Sequence, residues 1–206
     1  MVYTQDLKFC ARKSLRVRVP PPVPTMKFIL IRHATTAWNL EGRLQGRLDS
    51  PLVPQGIHEI QQVTNVLQTL DITQIFSSDL QRARQTAEII NQALRVPLSF
   101  DQRLRECSYG KAEGLTLQEI DATFGPGYAV WNRERIFDGY DYRPIGGEAH
   151  EQVVERHLSF LDDQKRSHSP QTVSLIVGHG RGLNTLLTRL GYTERVSNAK
   201  YCIIDY

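Results

Sequence analysis

From Met26 onward the chain alternates short apolar runs with stretches of helical period, and this alternation limits the possible folds more than any other feature. Residues 26–31 form an apolar run bounded by charge, the pattern of a buried strand. Ile57, Ile60, Val63, Val66, Leu67 and Leu70 recur at helical spacing after Pro54 and Gly56, which predicts a helix over 57–70. Residues 73–77 (TQIFS) predict a second strand. Leu80, Ala83, Ala87, Ile90 and Leu94 mark a helix with Ser78 or Asp79 as its N-cap. A short strand is expected at 97–100, and Thr116 with Glu119, at capping-box spacing, opens a short helix. A helix over 148–161, a strand at 172–177, a helix over 181–190 ended by Gly191 and a strand at 200–205 complete the series. Such alternation predicts an α/β fold: a mostly parallel sheet sandwiched by helices. The exception is an irregular excursion around 108–147, least periodic over 121–147. Its aromatics Tyr128, Trp131, Phe137, Tyr140 and Tyr142 fit a substrate lid and a small core equally well.

A chain of 206 residues suits one domain and can bury a core without staples. The net charge of +3 is unevenly placed. Residues 1–25 carry Lys8, Arg12, Lys13, Arg16 and Arg18 against Asp6 alone, a net of +4, which leaves −1 for the rest. The basic balance therefore says nothing of a nucleic-acid partner for the folded part. Pro20, Pro21, Pro22 and Pro24 close that basic segment and separate it from a domain spanning 26–206. An upstream extension before a start at Met26, a basic interaction arm and an organelle presequence all fit it. No apolar run reaches the roughly 20 residues of a membrane span. Cys10, Cys107 and Cys202 lie far apart, odd in number and without ligand spacing. No disulfide framework or metal site is expected, and a reducing, cytoplasmic setting is. A homo-oligomer is not indicated.

In open α/β sheets ligands bind beyond the carboxyl ends of the strands. The first strand ends in Arg32-His33, and the strand at 172–177 runs into Gly178-His179-Gly180. Two histidines thus reach one sheet edge. Arg82 and Arg84 fall in the first turns of the helix after the second strand, where a cation opposes the helix dipole. An anion between them would remove that conflict. The set suits a phosphoryl group: arginine forks bind its oxygens, a neutral imidazole is a competent nucleophile, and a second histidine can donate to the equatorial oxygens.

RHATTAWN at 32–39 resembles the signature of the histidine phosphatase superfamily, which includes the cofactor-dependent phosphoglycerate mutases. The likeness continues through RLQGRLDSPLVPQG at 43–56, SSDLQRARQTA at 77–87, LRECSYGKAEG at 104–114, GGE at 146–148 and VGHG at 177–180. It implies a phosphoglycerate mutase-like fold and a phosphomonoesterase without metal or other cofactor, acting on a small phosphorylated metabolite. In that reading His33 becomes phosphohistidine. Arg32, Arg82 and His179 hold the phosphoryl oxygens, helped by Asn39 and the Gly180 N–H, with Thr36 lining the pocket. Glu106 protonates the leaving oxygen and then deprotonates water. A mutase is the runner-up; the compact chain after Met26 lacks the longer insertions that mutases of the family tend to carry. A non-catalytic phosphate-binding module is the third reading, although no expected catalytic residue is lost.

Three positions depart from the family pattern. Ala34 replaces a usual glycine, so its backbone is expected in the αR or β region rather than at positive φ. Lys111-Ala112 replaces an often aromatic position and implies a more open wall. Arg181 stands where a small or apolar residue is common, and is expected to contact the substrate beyond its phosphoryl group unless it is a surface residue paired with an acid. Arg84, Cys107, His58, His150, His157 and His168 are expected to be ordinary surface or packing residues. Arg133, Arg135 and Arg143 could read a second anion, but surface arginines mostly read nothing.

Overall fold

The computed structural model describes residues 25–126 and 139–206. Five strands, β1 (Lys27–Arg32), β2 (Gln74–Ser77), β3 (Leu98–Phe100), β4 (Val173–Gly178) and β5 (Tyr201–Asp205), form one sheet in the order β3-β2-β4-β1-β5. All neighbours are parallel except the edge strand β5, which runs antiparallel to β1. Six α-helices accompany it among the described residues: α1 (Ala37–Glu41), α2 (Pro54–Leu67), α3 (Gln81–Leu94), α4 (Leu117–Phe124), α5 (His150–Ser167) and α6 (Gly180–Arg189). The α/β architecture expected from the alternation is the one found. None of these helices is long and apolar enough to cross a membrane.

The pleat of β1 divides the core. Ile29 and Ile31 face one side with Ile60 and Leu67 of α2 and Ala83, Ala87 and Ile90 of α3. Phe28 and Leu30 face the other with Phe160 and Leu161 of α5 and Leu183, Leu186 and Leu187 of α6. A third cluster, with Cys107, Tyr109, Ala112, Tyr140, Tyr142 and Val153, fills the inside of the excursion. Tyr140 and Tyr142 are thus core, and buried Ala112 packs there rather than opening a wall. Tyr128, Trp131, Phe137, Arg133 and Arg135 lie outside the described residues. Arg143 is exposed and paired with Asp141.

Several helix boundaries differ from the expected ones. α2 starts at Pro54, because a proline at N1 has its φ preset and needs no N–H partner. It ends at Leu67 rather than residue 70, and the chain turns through Asp71 at positive φ. α5 runs six residues past 161, where Lys165 and Arg166 suit the negative end of the dipole. Leu80, not Ser78 or Asp79, is the N-cap of α3, and it supplies no side-chain bond. The carboxylate of Asp49 caps that helix from a distant loop, accepting from Gln81 N at 3.0 Å and Arg82 N at 3.2 Å. Asp79 instead holds Arg105 in a two-pronged pair at 2.6 and 2.5 Å. The expected box on α4 is present, with Thr116 and Glu119 bonded reciprocally.

Candidate active site

The sheet register builds the centre of the site. Arg32 of β1 pairs with Gly178 of β4, so His33 and His179 leave adjacent parallel strands side by side. Their rings lie 5.2 Å apart. The connection after β1 crosses β4 to reach β2, and the one after β4 crosses β1 to reach β5. Two crossovers departing in opposite directions leave a crevice between the strand ends, the usual ligand site of such sheets.

His33 is buried and its tautomer follows from its partners. Nδ1 lies 2.8 Å from the Ala34 carbonyl, which can only accept, so Nδ1 carries the hydrogen. Nε2 then presents its lone pair, and Arg82 Nε donates to it at 3.3 Å. Burial, then Arg82 and Arg32, hold the imidazole well below its ordinary pKa, against the Ala34 bond. The ring is therefore neutral, with Nε2 available as a nucleophile. Asn198 fixes the backbone behind it, donating to His33 O at 3.0 Å and to Asn39 Oδ1 at 3.2 Å. Ala34 has no positive φ, as expected; its N–H donates to Thr86 Oγ1 at 3.0 Å.

Arg82 is 1% exposed. Its Nη1 donates to Leu48 O at 2.7 Å and Asp49 Oδ1 at 2.8 Å, and Nη2 to Gly46 O at 2.8 Å. The loop 46–49 thus aims the guanidinium at His33. Asp49 also supplies the anion that the start of α3 calls for, so the dipole conflict read from Arg82 is relieved within the protein. Arg84 lies apart, exposed over the Phe100 ring.

Arg32 lies against the first turn of α6: a Cβ on Gly180 would come within 3.0 Å of its Nε and Cζ. Its buried Nε has no hydrogen-bond partner among the described residues. Burial lowers its pKa, with Glu106 opposing. Both ring nitrogens of His179 are likewise buried and without such a partner among those residues. Burial, followed by Arg82 and His33, keeps His179 well below its ordinary pKa. Polar atoms left this way in an apolar setting cost free energy unless a ligand meets them.

Glu106 is buried and caps α6 from a distant loop, as Asp49 caps α3. Oε1 accepts from Cys107 N at 2.9 Å and Gly182 N at 2.8 Å, and Oε2 from Arg181 N at 3.0 Å. The Gly180 N–H is not used by this cap. Thr36 and Asn39 form the capping box of α1, a helix the sequence reading missed. The Thr36 hydroxyl is committed to Asn39 Oδ1 at 3.1 Å, which leaves the Asn39 amide hydrogens as that pair's donors toward a ligand.

Arg181 is partly buried, with its guanidinium packed among three tyrosines. Its guanidinium carbon lies 5.3, 4.7 and 5.4 Å from the ring centres of Tyr109, Tyr140 and Tyr142, and Nε donates to Tyr109 Oη at 3.2 Å. Cys107 is a packing residue whose thiol pKa burial pushes up. His157 is buried on α5, donating Nδ1–H to Val153 O, with its pKa pushed down to about 3 by burial and then by Arg156. Among the described residues no three His, Cys, Asp or Glu side chains form a metal-ligand group. Asp49, Thr86 and Asn198 were missed as site residues; Asp49 and Thr86 stand in quoted motifs, and Asn198 does not.

Comparison with known proteins gives the same picture. Residues 28–205 match the histidine phosphatase superfamily, branch 1. A probable phosphoglycerate mutase GpmB of Salmonella paratyphi A is 34% identical over 185 residues, covering 87% of this chain and 83% of that protein. The structure of Bacillus stearothermophilus YhfR superposes with a TM-score of 0.76 at 29% identity, covering 87% of this chain and 90% of the other. A mycobacterial glucosyl-3-phosphoglycerate phosphatase, solved as a complex with VO3, gives 0.77 at 27% identity, with coverage of 86% and 92%. The protein whose two strand-end histidines meet in this crevice belongs to the histidine phosphatase superfamily.

Proposed function

We propose that the protein is a phosphomonoesterase that works through a phosphohistidine on His33 and takes a small phosphorylated metabolite as substrate. The observation that carries this reading is the His33 tautomer, with Nδ1–H fixed on Ala34 O and the Nε2 lone pair turned toward Arg82. Nε2 attacks phosphorus, and the bond from phosphorus to the leaving oxygen breaks. Arg82, Arg32 and His179 bear the charge on the equatorial oxygens, aided by Asn39 and the Gly180 N–H. Glu106 gives the leaving oxygen its proton. Oε2 suits this role, since it accepts one N–H where Oε1 accepts two. In the second half Glu106 takes a proton from water, which attacks phosphorus and breaks the P–N bond. Phosphate leaves and His33 returns. The two arginines supply the positive charge a metal would otherwise bring.

A mutase uses the same phosphohistidine but hands the phosphoryl group to a second hydroxyl, and the name of the GpmB relative favours that alternative. The glucosyl-3-phosphoglycerate phosphatase favours hydrolysis. The test is p-nitrophenyl phosphate beside 3-phosphoglycerate, both in EDTA. Inorganic phosphate is expected from one or both esters at a rate that chelation leaves unchanged. Isomerisation of 3-phosphoglycerate without phosphate release would establish the mutase instead. Activity lost in EDTA and restored by a divalent ion would end the metal-independent mechanism.

Arg181 is proposed to read a second anionic group on the substrate. Ring faces hold the guanidinium of this residue, which follows Gly180 directly and donates its backbone N–H to Glu106. Arg181→Ala is expected to lower kcat/KM about tenfold for 3-phosphoglycerate, about 1.4 kcal/mol, and barely for p-nitrophenyl phosphate. Equal losses on both would place its action at the phosphoryl group or at Glu106.

A further inference from the structure

Glu148 closes the GGE run and takes no part in the chemistry above. Its side chain is 18% exposed and collects three partners. Oε1 accepts from Arg156 Nε at 3.1 Å. Oε2 accepts from Arg156 Nη2 at 3.1 Å and from Ser108 N at 2.8 Å, and pairs with Arg47 Nη2 at 3.0 Å. Burial works to raise its pKa, and Arg156, the Ser108 N–H and Arg47 outweigh it.

Each partner leads to one half of the site. Arg156, on α5, also donates Nη1 to Arg103 O and Arg105 O, both at 2.6 Å, and Nη2 to Glu106 O at 3.1 Å. One guanidinium thus gathers three carbonyls of the segment that ends at Glu106, while Ser108 pins the same stretch of chain directly. Arg47 stands between Gly46 and Leu48, whose carbonyls aim Arg82 at His33. The approach is close enough to require glycine: a Cβ on Gly147 would lie 2.4 Å from Ser108 O.

We propose that Glu148 is a positioning residue that sets Glu106 and Arg82 in register with one another, acting on Glu106 through Arg156 and Ser108 and on the Arg82 loop through Arg47. The kinetic part of this inference rests on the phosphohistidine reading; the geometric part does not. Proton donor and phosphoryl clamp must meet one phosphorus centre together, the donor at the apical leaving oxygen and the clamp at the equatorial oxygens, and small displacements at such centres cost large factors in rate. A single carboxylate bound to both supports keeps their separation fixed.

Variants separate the two arms. Arg156→Lys keeps a cation but cannot span three carbonyls and a carboxylate. For an alkyl phosphate, whose leaving oxygen needs the Glu106 proton, kcat/KM is expected to fall about tenfold or more. For p-nitrophenyl phosphate, whose leaving group departs without a proton, kcat/KM should stay within about threefold. Its kcat should drop all the same, because water attack still needs Glu106, and a burst of about one nitrophenolate per site should appear. Arg47→Ala should instead lower kcat/KM for both esters alike and weaken vanadate inhibition about tenfold. Glu148→Gln should show both signatures. Equal losses on both esters without a burst in Arg156→Lys, or wild-type kinetics in Glu148→Gln, would overturn the proposal. If Glu148→Gln does not fold, the two arginine variants carry the test.

Amide hydrogen exchange reads the same arrangement without turnover. In Glu148→Gln or Arg156→Lys, the amides of Cys107, Ser108, Arg181 and Gly182 should exchange about tenfold faster while those of β1 and β4 stay protected. Unchanged exchange, or a loss of protection through the whole sheet, would overturn the positioning role. A wild-type protein that neither hydrolyses an ester nor isomerises 3-phosphoglycerate would sink the phosphohistidine reading and leave exchange to decide the role of Glu148.

Discussion

His33→Ala should lose turnover by about 10^4-fold or more while keeping the fold. In the proposed mechanism the substitution removes the atom that takes the phosphoryl group, and no neighbour replaces it. His179 sits 5.2 Å away by ring centres, but it leaves the neighbouring strand, and among the described residues no donor hydrogen-bonds its ring nitrogens. His179→Ala should therefore be milder, about 10^2-fold, because it removes one donor to the developing charge rather than the nucleophile. Label carried from the substrate to wild-type protein should survive alkaline quench and vanish in acid, since a phosphoramidate is acid-labile. Burial, Arg82 and Arg32 hold His33 below its ordinary pKa, so its neutral form persists as pH falls through the range where a free imidazole protonates. At about pH 5.5 its 15N spectrum should still show one protonated and one unprotonated ring nitrogen. Normal turnover in His33→Ala, or label stable to acid, would end the mechanism.

What the sequence made legible was local. An apolar run ending in Arg-His, another ending in Gly-His-Gly, and the Thr116–Glu119 box each declare themselves within a few residues, and each stands where expected. Polar contacts between distant segments did not. Asp49 caps α3 from more than thirty residues upstream, so the neighbouring Ser78 and Asp79 looked like caps when Asp79 was needed by Arg105. Asn198 reaches His33 O from 165 positions away, and no local pattern marks it. Glu148 was visible as part of a motif, yet its task depends on Arg47 and Arg156, which only the fold brings to it. Arg181 was singled out as unusual in its place. Its tyrosine cage draws on the excursion, the part of the chain with no readable period.

Arg82 is where the proposed phosphate-binding role and the structural role meet, and three variants pull them apart. Arg82→Ala should lower kcat/KM by about 10^3-fold, the scale on which a preorganised cation serves a phosphoryl transition state. It should also destabilise the fold, because the carbonyls of Gly46 and Leu48 lose their donor at about 1–3 kcal/mol for each buried group. Part of that cost is offset, since Arg82 repels the charge on Arg32. Removing it should also let the pKa of His33 rise toward its ordinary value, so the nucleophile protonates at a higher pH than in wild type. Inorganic phosphate should raise the wild-type melting temperature and do so much less in Arg82→Ala. Arg82→Lys restores the charge but not the fork: one ammonium cannot serve Gly46 O, Leu48 O, Asp49 and His33 Nε2 together. It should recover part of the stability and little of the rate. Asp49→Asn keeps the Arg82 charge while removing its ion pair and weakening the α3 cap, so it should lose stability before it loses phosphate binding. Near-normal kcat/KM in Arg82→Lys would show that charge alone matters at this position. A loss of less than about tenfold in Arg82→Ala would remove the residue from the phosphoryl site altogether.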